Sequence, residues 1–150
     1  MRVAIGSDHA GFDQKERIKE HLAGEGHEVT DVGAASSDHS VDYPDFAIAA
    51  SRLVAGGEAE FGILVCGTGI GMAIAANKVR GVRAANVTDA EFARLAREHN
   101  NANVLTVSAR FVSEQENEGI VDAFLATPFG GGRHADRVGK IGIVEAEERG

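Results

Sequence analysis

Apolar positions along the chain alternate between two rhythms. Short runs rich in β-branched and aliphatic residues lie at 2–6, 28–32, 61–66, 82–87 and 104–107, each closed by glycine or a polar turn. Such runs predict strands, and the unbroken apolar ones predict strands buried on both faces. Between them the spacing lengthens to three or four residues, which predicts helices. The first covers 12–23, with Ile18 and Leu22 on its buried face and Gly24 and Gly26 ending it. A polar, turn-rich segment at 33–44 is closed by Tyr43-Pro44, and a second helix runs over 45–55 to Gly56-Gly57. A third follows the glycines after Cys66 and runs to about Lys78. Thr88 reads as the N-cap of a fourth, with Glu91 at the capping-box position and an end near His99-Asn100-Asn101. Ser113 caps a fifth to Thr127, and a final amphipathic helix over 135–148 carries Val138, Ile141 and Val144.

Strand and helix thus alternate five times without a long linker or internal repeat. That order predicts one α/β domain over 1–150, a parallel sheet covered by helices on both faces. Ligands of such sheets bind beyond the carboxyl ends of the strands. The ends here gather Asp8-His9, Cys66 to Thr68, Asn86 to Asp89 and Ser108 to Arg110.

Composition narrows the function classes. Apolar content of 43% and charged content of 25% are ordinary for a globular chain, while 19 glycines are many. A net charge of -8 and a pI near 5.2 argue against nucleic acid or an anionic membrane as partner. A small phosphorylated ligand stays open, because local field decides it, and Arg133, His134 and Arg137 form a local cationic cluster. A single cysteine permits no internal disulfide and fits a reducing cytoplasm. Val3-Ala4-Ile5 is too short for the apolar core of a leader, and no run approaches membrane-spanning length.

The chemistry concentrates at Cys66-Gly67-Thr68-Gly69-Ile70-Gly71. A lone cysteine ending a buried strand is commonly inert. At the start of a helix, however, thiolate is favoured, and a thiolate serves as nucleophile or base. The glycines let backbone N–H groups approach an anion. The turn is not a phosphate-binding Walker loop, and it misses the dinucleotide fingerprint because Met72 stands where the third glycine is required. Arg133 and Arg137 are four apart, so a helix start puts two guanidinium forks on one face, suited to a phosphate. The histidines lack the spacing of a zinc motif. Asp8 can simply cap the first helix, and His99 can be a solvated helix-end residue.

Ser7-Asp8-His9-Ala10-Gly11, Val41-Asp42-Tyr43-Pro44, the cysteine turn, His99-Asn100-Asn101-Ala102-Asn103 and Gly132-Arg133-His134 with Arg137 together resemble the type B ribose-5-phosphate isomerase family, over nearly the whole chain. The family also includes allose- and galactose-6-phosphate isomerases. The resemblance implies a Rossmann-like α/β/α sandwich with sheet order 2-1-3-5-4, and aldose–ketose isomerisation through an enediolate without cofactor or metal. It implies that Cys66 moves a proton between C2 and C1, with Thr68 assisting at the oxygens and the amides of Gly67 to Gly71, Gly69 and Ile70 included, holding the enediolate. Asp8 and His99 would open the furanose ring, Tyr43 and Asn100 position the sugar, and His9, Arg133, His134, Arg137 and Arg110 serve the phosphate end. It implies a homodimer or tetramer with shared sites, in which His99, Asn100 and Arg110 come from the second subunit and the last helix packs on it. Ser108 departs from the glycine usual before Arg110, which bears on where that arginine sits. A four- or six-carbon phosphosugar, or a non-catalytic sugar-phosphate or nucleotide-binding module, are the competing readings.

Overall fold

In the computed structural model, residues 1–149 are described. Five strands, β1 (Arg2–Ser7), β2 (Glu28–Asp31), β3 (Phe61–Cys66), β4 (Ala84–Asn86) and β5 (Val104–Ser108), form one parallel sheet in the order β2-β1-β3-β5-β4. That is the order the family resemblance implied. Period-two alternation assigns each strand residue to one of two cores. Val3, Ile5, Ile63, Val65, Leu105 and Val107 point into one cluster with Ile18, Leu22, Ile120 and Phe124. Ala4, Leu64, Cys66 and Val104 point into the other with Ala47, Ala50, Met72 and Ala76. Because both faces are covered, β3 reads as an unbroken apolar run. Each fully buried large side chain, such as Phe124 or Leu22, contributes on the order of 1.5–3 kcal/mol.

The helices are α1 (Phe12–Gly24), α2 (Tyr43–Ala55), α3 (Ile70–Ala76), α4 (Ala90–Asn100), α5 (Glu114–Ala126) and α6 (Arg133–Arg149). α1, α4 and α5 supply the first core, and α2 and α3 the second. No α6 residue joins either core among the described residues. Ile141 and Val144, expected on a buried face, are 53% and 55% exposed.

Several boundaries differ from the sequence expectation for local reasons. α2 starts at Tyr43, two residues early, because Pro44 sits in its first turn, where a missing N–H costs nothing. The N-cap of α4 is Asp89, not Thr88: its Oδ1 accepts from the Phe92 N–H at 2.8 Å. α3 stops at Ala76, since Lys78 and Val79 donate to carbonyls three residues back and tighten the chain into turns. β4 starts at Ala84 because Val82 donates to Val79 in the same turn series. α6 starts at Arg133, two residues before its expected start. Ser113 caps α5 as expected, accepting from Glu116 N–H at 3.1 Å.

Candidate active site

In the observed order, β2 lies on one side of β1 and β3 on the other, so the connection direction reverses between β1 and β3. At such a reversal a crevice opens beyond the carboxyl ends of the strands. Asp8-His9 leaves β1 there, and the cysteine turn leaves β3.

Cys66 is 5% exposed, and its Sγ accepts the Gly69 N–H at 3.1 Å. The sulfur therefore has a backbone donor aimed at it. Thr68 Oγ1 accepts from Ile70 N–H at 3.1 Å. The N–H groups of Gly67, Thr68 and Gly71 have no protein acceptor among the described residues. They remain available to an oxyanion. α3 has only seven residues, so the turn's own amides matter more here than a helix dipole.

Each glycine of the turn has a steric reason. Gly69 has φ +82, and a Cβ there would run into Asn86 Oδ1 and come within 3.0 Å of Val107 O. Gly71 lies under the Tyr43 ring, whose atoms would be 2.8 Å from a Cβ. A Cβ on Gly67 would touch the Arg110 guanidinium at 3.3 Å. Gly69→Ala is thus expected to cost about 1–3 kcal/mol, the strain of a left-handed non-glycine residue plus the clash. Urea unfolding monitored by circular dichroism measures it, and an unchanged midpoint would remove the strain argument.

Asp8 is buried and does not cap α1 directly: its Oδ1 accepts the Gly11 N–H at 2.9 Å and closes the turn before the helix. His9 Nδ1 accepts the Val41 N–H at 3.1 Å, which leaves Nε2 as the protonated, outward donor. The loop carrying Val41 is pinned from below by Lys15, which is 1% exposed. Its Nζ reaches both Asp31 oxygens and Ala34 O at 2.8 Å. Burial pushes the Asp31 carboxyl up, but Lys15, Lys19 and the Gly33 N–H outweigh it and hold it below the usual carboxylate range.

Arg110 belongs with this turn: its N–H donates to Gly67 O at 3.1 Å. Ser108 explains its own presence there. Its hydroxyl donates to Gly67 O at 2.8 Å and accepts from Phe111 N–H at 3.0 Å, tying β5 to the glycine turn. Asn117 Nδ2 braces the same point, donating to Ser108 O and Gln14 Oε1. Sequence reasoning placed Asn86 at a strand end but gave it no role, and it did not name Lys15. The strand-end position of Asn86 was a usable signal; nothing local marked Lys15.

The remaining predicted residues lie elsewhere. α4 runs back from the carboxyl edge, so His99 and Asn100 stand just before the start of β5, where Gly62 N–H meets Asn103 O. A five-residue strand separates the two edges, about 16 Å. His134 stacks on His99 with ring centroids 4.3 Å apart, and Arg133 and Arg137 follow on the first turns of α6. One chain thus brings Asp8, His9, Tyr43, Cys66, Thr68 and Arg110 together. It holds His99, Asn100, Arg133, His134 and Arg137 at the opposite edge. Arg110, expected from a second subunit, lies against Gly67 of its own chain, while Arg133, His134 and Arg137 group with His99. A cavity of about 700 Å³ also lies at that far edge, between α6 and β4, lined by Val82, Arg83, Ala85, Asn100, Ile141 and Val144.

Among the described residues one trio could hold a metal ion, His21, Glu25 and Asp122, whose donor atoms lie within 4.8 Å of one another. His21 Nε2 there bonds Asp122 at 2.7 Å, and that bond raises its pKa above the ordinary histidine value. No helix among the described residues is long and apolar enough to cross a membrane.

The reversal point and its thiol turn define a doubly wound α/β protein with a small-molecule site at the carboxyl edge of its sheet. The chain belongs to the ribose/galactose isomerase family, whose model matches residues 3–141. It is 48% identical over 148 residues to a probable ribose-5-phosphate isomerase B of Mycoplasma genitalium, covering 98% of this chain and 97% of that protein. Ribose-5-phosphate isomerase B of Escherichia coli is 45% identical over 144 residues, 96% of each chain. Among solved structures, the Clostridium thermocellum ribose-5-phosphate isomerase B superposes with a TM-score of 0.97 at 48% identity, covering 99% of both chains. The Mycoplasma genitalium enzyme, solved with bound ribulose 5-phosphate, superposes with a TM-score of 0.94 at 48% identity and 97% coverage of each.

Proposed function

We propose that Cys66 is the base with which this chain interconverts ribose 5-phosphate and ribulose 5-phosphate. The observation that carries the assignment is the Cys66 sulfur at the sheet's reversal point, facing the Gly69 N–H and flanked by unpaired amides. Relatives at 45–48% identity named as ribose-5-phosphate isomerases, one solved with the ketose product, support the substrate.

In this reading the reaction runs through an enediolate. Asp8 and a histidine exchange protons with the ring oxygen and the C1 hydroxyl, so the furanose opens to the aldehyde. The Cys66 thiolate takes the C2 proton, and charge flows to the carbonyl oxygen. The Gly67, Thr68 and Gly71 amides stabilise that oxygen, and Thr68 Oγ relays a proton between O2 and O1. The thiol then returns its proton to C1, giving the ketose. The phosphate, held by arginines and the His9 Nε2–H, supplies binding energy that fixes the reacting carbons.

This reading takes the chain as one domain acting in the cytoplasm, as a homodimer with shared sites. His99, Asn100, Arg133 and Arg137 of one copy reach the Cys66 turn of the other, because no single chain places them together. Exposed Ile70, Ile74, Phe92, Ile141 and Val144 supply apolar surface for such a contact. Packing of α6 on the partner would give the far-edge cavity an occupant.

A turnover assay with the ketose product followed directly tests the substrate. The specificity constant should be highest for the five-carbon phosphosugar and fall by about tenfold or more for four- and six-carbon analogues that misplace either end. A higher constant for a hexose 6-phosphate would overturn the substrate assignment while leaving the reaction type intact.

A further inference from the structure

The His99 and His134 rings lie 4.3 Å apart at centroid, with planes only 14° from parallel. They come from different helices, the last turn of α4 and the first of α6. The approach is built by the backbone. Gly130 N–H donates to Glu98 O at 2.9 Å, Gly131 and Gly132 both take positive φ, and His134 N–H then donates to Gly131 O at 3.0 Å. Two successive left-handed residues are a costly turn for anything but glycine, and here they deliver one ring onto another.

We propose that His134 is a positioning residue, an aromatic plate that fixes the plane of the His99 imidazole, and not a ligand of the substrate phosphate. The proposal rests on the reading of His99 as a ring-opening group. The stack holds the face of the His99 ring and leaves its in-plane nitrogens free at the edge, where a sugar oxygen would meet them. The exposed Arg133 and Arg137 beside it, with no ion partner among the described residues, already supply the charge a phosphate needs. Loss of water contact, and then the positive charge of His99, Arg133 and Arg137, hold His134 below the ordinary histidine range despite Glu98. An uncharged plate leaves His99 free to take a proton during ring opening without a second cation stacked on it.

The test compares His134→Ala, which removes the plate, with His134→Phe, which keeps it and discards both nitrogens. Ala is expected to lower kcat/KM roughly three- to tenfold, the worth of one aromatic pair. Phe should stay within about twofold of the unsubstituted enzyme, and in a His99→Ala background His134→Ala should add nothing. Equal impairment by Ala and Phe, or a full loss on top of His99→Ala, would make His134 a substrate ligand and overturn the proposal. Wild-type turnover in His99→Ala would overturn the ring-opening reading and the proposal with it. Ring-current shifts of the His99 proton resonances, lost in Ala and kept in Phe, separate that case from a stack that does not form in solution.

Discussion

Cys66→Ala is expected to lower kcat by about 10²–10⁴-fold, the range a positioned general base contributes, while the dissociation constant for ribose 5-phosphate changes little. In the proposed reaction the sulfur acts on the reacting carbon, so its loss removes a transition-state interaction and not a binding one. Removing the sulfur leaves the buried Gly69 N–H without its acceptor, at a cost of about 1–3 kcal/mol, so circular dichroism on the same preparation checks that the variant folds. Steady-state kinetics and titration calorimetry on the same preparation separate the two effects. A variant that turns over normally would take Cys66 out of the mechanism, and one that no longer binds would recast the thiol as a structural group. Cys66→Ser is a useful companion. Its hydroxyl keeps a hydrogen-bond acceptor for the turn but is not a base near neutral pH, so it should be nearly as inactive as Ala.

The second large effect is a gain. Cys66→Ala and His99→Ala chains should each be close to inactive alone, yet mixing them after reversible dissociation should restore roughly one quarter of wild-type turnover, as random reassortment of a two-fold dimer dictates. Half the dimers are then mixed. In a mixed dimer one site carries both substitutions, and the other carries neither. The effect follows from the sheet itself: His99 stands at the amino edge, about one strand length from Cys66. The two residues cannot serve one site from one chain. Activity that stays at the level of the separate variants, with mixed dimers verified by mass spectrometry of differently tagged chains, would refute the shared site. The same experiment with Arg133→Ala in place of His99→Ala should also recover activity, since Arg133 lies on the His134 side. Arg110→Ala should not complement Cys66→Ala, because Arg110 packs on Gly67 of its own chain.

Much of this protein is legible from local chemistry. The run from Phe61 to Cys66 is unbroken because both its faces are buried, and periodicity reports burial wherever a strand is central. The cysteine turn is legible because only glycine accepts the φ of residue 69 or the close approach of Tyr43 at residue 71. Boundaries were missed where two neighbouring residues compete for one role. Thr88 and Asp89 both cap helices, and Asp89 wins because its carboxylate reaches the Phe92 N–H. β2 and β4 were weaker signals, since edge strands bury less.

Side-chain geometry at long sequence separation was not legible. Lys15 is a charged residue in an amphipathic helix, indistinguishable from a solvated lysine until Asp31 and Ala34 O are brought around it from another element. The stacking of His134 on His99 depends on where the loop from Thr127 to Gly132 sends α6, which periodicity does not encode. By itself, then, the sequence determined the alternating α/β class, the thiol turn and the list of candidate polar groups, because each is a property of a few consecutive residues. Only the tertiary structure decided which edge of the sheet each group occupies. Edge is set by strand order and by the return direction of each helix, and those are fixed jointly by packing across both cores.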